Sequence, residues 1–172
     1  MDAGLQRLAK RLASEGEKTI AFFSDLPQEA WKQQVYTTGS CWNVRQVLAH
    51  FVATERALNE LVIDIAGGGS GVPPGFEIDA FNEQEVEALE DMQIPVLLND
   101  FQRARSEIID WMHDLVPEDL DRTGWHPWFG ETELRQMIKL IYRHNMIHLR
   151  DIRKALTEHA PVPHRHVESP IE

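Results

Sequence analysis

Three histidines have the spacing and setting most suited to chemistry. His144 and His148 stand four residues apart. On a helix their rings leave one face a single turn apart, within reach of one ion. His50 belongs to a different segment but also falls on its apolar face. The chain has 8 histidines, so a pair at this spacing is a weak signal by itself. Register strengthens it. His144 and His148 share a stripe with Met137, Ile141, Ile152 and Ala155, and His50 shares one with Val47, Thr54, Leu58, Leu61 and Ile65. All three imidazoles therefore face an apolar interior, where an unpartnered ring costs roughly a few kcal/mol.

One cation would satisfy all three rings; the rival is a core hydrogen-bond network. Three neutral ligands leave positions open for water or substrate, as in a catalytic site rather than a closed structural one. Imidazole suits zinc or nickel foremost, with iron, copper or manganese also within reach. Asn145 follows His144, so the His-Glu-x-x-His motif of zinc proteases, with its glutamate base, is not present.

Positioning these side chains requires helices. Leu5, Leu8, Leu12, Ile20 and Phe23 make an amphipathic helix over about 2–24, ended by Leu26-Pro27. A connector spans 28–42, with Trp31 and Val35 tucked onto the core. The second helix opens at Asn43, an N-cap completed by Gln46 in a capping box, and stops at Gly67-Gly68-Gly69. Residues 67–93 are irregular, with a short acidic helix expected over Glu83–Met92; so long a loop reads as functional or mobile. The third helix runs from about Pro95 to Leu115, burying Val96 or Leu97, Phe101, Ala104, Ile108 and Trp111. The fourth runs from a Thr132 cap to about His159. No strand alternation stands out. The expected fold is all-α: an antiparallel four-helix bundle, up-down-up-down or close to it, as one domain over 1–160 with a tail over 161–172.

Composition narrows the partners. With 17 Lys and Arg against 28 Asp and Glu, the net charge is −11. That argues against nucleic acid as the main partner, because such binding relies on clustered cations. No stretch approaches the ~20 apolar residues of a membrane span, and Met1–Arg7 has no signal-peptide character. A cytoplasmic protein is expected. Cys41, the single cysteine, fits a reducing compartment and reads as a small half-buried residue before a helix.

The segment Trp42-Asn43-Val44-Arg45-Gln46-Val47-Leu48-Ala49-His50-Phe51, then Glu55, and later His144-Asn145-Met146-Ile147-His148, resembles the DinB-like/YfiT-like superfamily of bundle metalloenzymes. That group includes bacillithiol-dependent S-transferases and the mycothiol-dependent maleylpyruvate isomerase domain. The likeness spans nearly the whole chain; Asn43 stands where the family has a Thr or Ser cap. It implies that His50, His144 and His148 are metal ligands completed by water. It also implies thiol transfer, or a related hydrolytic or isomerising reaction, on a small molecule. A non-enzymatic, stress-linked metal-binding protein is the third alternative.

Other residues have narrower expectations. Glu55 lies about 140° around the helix from His50, so it pairs with a basic residue on a neighbouring helix rather than binding the ion. Trp125, His126 and Trp128 either line the bundle mouth or cover its end. Arg143 and Arg150 either contact an anionic substrate or serve as solvated or ion-paired groups. His164 and His166 belong to a solvated tail. Val62, off the inward stripe, and the apolar residues of the first helix leave room for a homodimer.

Overall fold

A computed structural model of the protein describes residues 2–164. Its long helices are α1 (Ala3–Ser24), α2 (Val44–Ala66), α4 (Ile94–Trp111) and α5 (Leu134–Glu158), with a shorter α3 (Ile78–Ala88) between α2 and α4. Local chemistry sets their ends. The Asp2 carboxylate accepts from the Gly4 amide at 2.7 Å. Asn43 and Gln46 form the expected capping box, at 2.9 and 3.0 Å. Pro95 sits in the first turn of α4.

Both α1 and α2 pack against α4 and α5, which puts α1 diagonally across from α2. The apolar core forms two clusters. One joins the start of α1 and α5 to the end of α2 and α4, through Leu5, Leu12, Ile65, Ile108 and Met137. The other joins the end of α1 and α5 to the start of α2 and α4, through Phe23, Leu48, Leu97, Phe101 and Ile152. The helices therefore run up, down, down, up, not alternately. Because α2 and α4 run parallel, residues 67–93 must carry the chain back along the bundle, which explains their length.

Several boundaries differ from the sequence expectations. The acidic helix lies at Ile78–Ala88, ahead of its expected place, because the Arg45 guanidinium donates to the carbonyls of Leu89 (2.8 Å) and Met92 (2.6 Å) and holds that stretch as turns. The last turn expected of α4 is a 3-10 turn over Met112–Asp114. The connector before α5 contains a hairpin, β1 (Thr123–His126) paired with β2 (Gly130–Glu133). Four residues per strand is too short for alternation to register. Thr132 lies in β2, and Glu133 occupies the cap position without a side-chain bond to the helix.

The crossover is pinned to this hairpin. The Val72 amide donates to the Trp125 carbonyl at 3.0 Å, and the Trp125 amide to the Ser70 carbonyl at 2.8 Å. Gly71, at φ 84°, sits so close that a Cβ would lie 2.4 Å from that carbonyl oxygen.

Val62 is fully buried, as are Leu5, Leu12 and Phe23 of α1, so these residues supply no free face for a homodimer. Cys41 is exposed and adopts φ 45°, not the half-buried setting expected. Residues 161–164 fold back onto the domain. The Val162 amide donates to Val35 O (2.8 Å), the Thr37 amide to Val162 O (3.0 Å), and Val162 is buried. The rest of the expected tail, His166 included, lies outside the described residues. Among the described residues, no helix is long and apolar enough to cross a membrane.

Candidate metal centre

Each long helix passes from one apolar cluster to the other through a mid-level layer, and the polar groups gather there. Glu55 on α2 and Arg105 on α4 are both buried and form a bidentate pair at 2.8 and 2.5 Å. Arg105 also donates to the Leu12 carbonyl of α1 at 2.7 Å. Asn145 on α5 donates to Glu55 at 3.4 Å. Glu55 thus ties α2 to α4 and α5, Arg105 carries the tie on to α1, and Glu55 has the basic partner expected of it.

Beside this layer the three predicted histidines converge. His144 Nε2 lies 2.9 Å from His50 Nε2 and 3.0 Å from His148 Nε2. His50 and His148 are buried and His144 is half-buried. Trp42 lies against His50, and Phe51 against His144 and His148.

This donor set fits a cation. An imidazole nitrogen carries either one proton or one in-plane lone pair, so His144 Nε2 cannot bond well to both neighbours. An ion shared by the three rings removes that conflict. Ligand atoms on a tetrahedral zinc stand roughly 3.3 Å apart, given Zn–N distances near 2.05 Å.

The far sides of two rings are held so as to leave Nε2 free. His144 Nδ1 lies 3.3 Å from Asn145 Oδ1. Asn145 therefore stands where a protease would have its base and instead links His144 to Glu55. His148 Nδ1 lies 2.5 Å from the Tyr36 hydroxyl, which in turn lies 3.4 Å from Asp151. With Nδ1–H donating to Tyr36 and Tyr36 donating to Asp151, the lone pair of His148 faces the site. Burial, then the Asp151 charge, raises the Tyr36 pKa, so this hydroxyl stays protonated. His50 Nδ1 is buried with no partner among the described residues.

Removing the Tyr36 hydroxyl tests this relay. Tyr36→Phe is expected to weaken zinc binding by about 10–100-fold, read by competition with a chromogenic chelator, without displacing the helices. Unchanged affinity would mean that Tyr36 does not orient His148.

Burial also lowers the imidazole pKa values, His50 and His148 well below the usual 6.5 and His144 and His126 to about 4. Between pH 6.5 and about 4 the unfolded chain therefore binds protons that the folded chain does not. By linkage, stability falls as pH falls through that window. Urea midpoints of the metal-free protein are expected to drop from pH 7 to pH 5; a flat profile would contradict the burial argument.

The three rings form part of the wall of a ≈ 220 Å³ cavity. Bundle residues Trp42, Leu58 and Leu61 line one part, and Val72, Phe76 and Phe81 of the crossover another. His126 and Trp128 line it as well, whereas Trp125 does not and is 54% exposed. Neither Arg143 nor Arg150 lines it, and Arg150 pairs with Asp151 at 3.0 Å. His164, expected in a solvated tail, reaches the cavity and stacks on His148, with centroids 5.5 Å apart. Sequence reasoning also missed Tyr36, Asp151 and the crossover residues. Asp151 was within reach, three residues beyond His148 on the same helix; Tyr36 left no local signal.

The fold and site together define a four-helix bundle with an inward-facing three-histidine centre at one cavity wall. The chain belongs to the DinB superfamily, whose family model matches residues 11–152. Solved structures agree on the fold. YfiT from Bacillus subtilis, described as a probable metal-dependent hydrolase with an unusual four-helix bundle topology, has a TM-score of 0.74 at 13% identity, over 93% of this chain and 91% of that one. A mycothiol-dependent maleylpyruvate isomerase has a TM-score of 0.70 at 13% identity, over 88% of this chain and 63% of that one. An uncharacterised protein from Escherichia coli UTI89 has a TM-score of 0.70 at 15% identity, over 92% and 96%. Among curated protein sequences, none matches the chain.

Proposed function

We propose that the protein is a divalent-metal-dependent transferase that joins a low-molecular-weight thiol to a small, largely apolar electrophile. The carrying observation is the meeting of three imidazole nitrogens at the wall of an apolar cavity. A divalent cation bound there would supply Lewis acidity and positive charge that favours an anionic nucleophile. The chain's own residues do the rest. His50, His144 and His148 hold the ion, with Tyr36 and Asn145 orienting two of them. The apolar residues bind the electrophile and exclude water.

A thiol suits this site better than water. Its pKa of about 8.5 leaves little proton removal to be assisted, and among the described residues the cavity offers no buried carboxylate base. Among the described residues its only acidic lining groups, Asp79 and Glu83, are both exposed. The likeness to a probable metal-dependent hydrolase supports hydrolysis as a second reading.

Turnover of a chromogenic aryl halide, with metal-loaded protein and with or without bacillithiol, mycothiol or cysteine, separates the two. Product formation that requires thiol is expected. Absence of thiol dependence, with ester or amide hydrolysis intact, would replace the transferase with a hydrolase.

A further inference from the structure

We propose that His126 is a fixed hydrogen-bond donor to the substrate, selecting small apolar molecules that carry an uncharged acceptor such as a carbonyl oxygen. The proposal rests on reading the cavity as the substrate site.

His126 ends β1 on its buried side and is 3% exposed. Its Nδ1 accepts from the backbone amides of Trp128 at 3.1 Å and Phe129 at 3.3 Å, within the hairpin turn. Its ring stacks on Phe129, with centroids 5.1 Å apart and planes 22° apart. An Nδ1 that accepts two amides has no proton, so in the neutral ring the proton sits on Nε2. That Nε2 is buried and has no partner among the described residues. A buried donor left unmade is costly, and this one belongs to a cavity-lining side chain. His144 lines the same cavity. The turn thus fixes both the tautomer and the pose of a donor near the three-histidine centre. Among the described residues no Lys or Arg lines the cavity, so the group it meets need not be an anion.

Two substitutions separate the ring's two ends. His126→Asn keeps an acceptor at the δ position for the turn amides and removes the far nitrogen. His126→Gln keeps a donor at the ε position and loses the turn acceptor. The probes are acetophenone and ethylbenzene, alike in shape and differing in the carbonyl. In the zinc-loaded protein, the imidazole nitrogen NMR spectrum is expected to show the His126 proton on Nε2, with a resonance that shifts on adding acetophenone and not ethylbenzene. His126→Asn is expected to weaken acetophenone binding about tenfold and leave ethylbenzene unchanged; His126→Gln should retain the preference for the ketone. A proton on Nδ1, equal treatment of the two compounds by wild type, or failure of both to bind would overturn the proposal. Zinc content measured in every sample keeps the readings apart. Wild type without zinc would defeat the metal assignment, while the ketone and hydrocarbon comparison would still report on His126.

Discussion

His148→Ala is expected to lower the zinc content of purified protein from about one equivalent per chain to a small fraction of that. The loss should exceed the roughly 10–100-fold expected when only an orienting partner is removed. Two things go at once. A donor nitrogen 3.0 Å from that of His144 disappears. The Tyr36 hydroxyl also loses its ring partner and is left with Asp151. His50 and His144 would remain, and two imidazoles make a poor zinc site. Elemental analysis of wild type, His148→Ala and His113→Ala provides the check. His113 is exposed in the turn after α4, so its variant should keep the metal. Equal zinc in wild type and His148→Ala would defeat the assignment of the site.

The largest effect on stability is expected at Arg105. Its guanidinium is 4% exposed and Glu55 is 1% exposed. Arg105→Met would leave the Glu55 carboxylate buried with only the 3.4 Å contact from Asn145, and the Leu12 carbonyl without its side-chain donor from α4. Removing one partner of a buried pair costs about 3–5 kcal/mol, mostly because the other charge is abandoned. Urea denaturation should show a loss of that size. Glu55→Leu combined with Arg105→Met should recover much of it, since no charge then stays behind. A double variant no more stable than the single one would place the cost in lost packing. Because Asn145 reaches both Glu55 and His144, the single variant is also expected to weaken zinc binding modestly.

The helices and the inward histidines were legible because they are periodic. The stripe of α5 places His144 and His148 together, and the stripe of α2 places His50 among apolar residues, before any coordinates are known. Glu55 was legible in the same way, since its angle on α2 turned it away from the three histidines and toward a neighbour. The identity of that neighbour was not, because Arg105 is 50 residues away and nothing local ties the two. Tyr36 reaches His148 across 112 residues from a connector without periodicity. The direction of α4 was hidden too. Hydrophobic spacing says which face is inward, and says nothing about which way a helix runs. Val62 shows the limit of a narrow stripe: packed by both adjacent helices, α4 and α5, α2 buries more of its circumference than one face.

The path between α2 and α4 has a consequence for inheritance. Residues 67–93 contribute Val72, Phe76 and Phe81 to the cavity, while the three histidines and the Glu55–Arg105 knot belong to the bundle. Descendants of this chain can alter what fits inside by changing Val72, Phe76 and Phe81 of one surface-crossing stretch, and leave intact the three histidines and the Glu55–Arg105 knot. The point of least freedom along that stretch is Gly71, held against the Trp125 backbone. Variation among such descendants should therefore be dense on either side of that glycine and sparse at it.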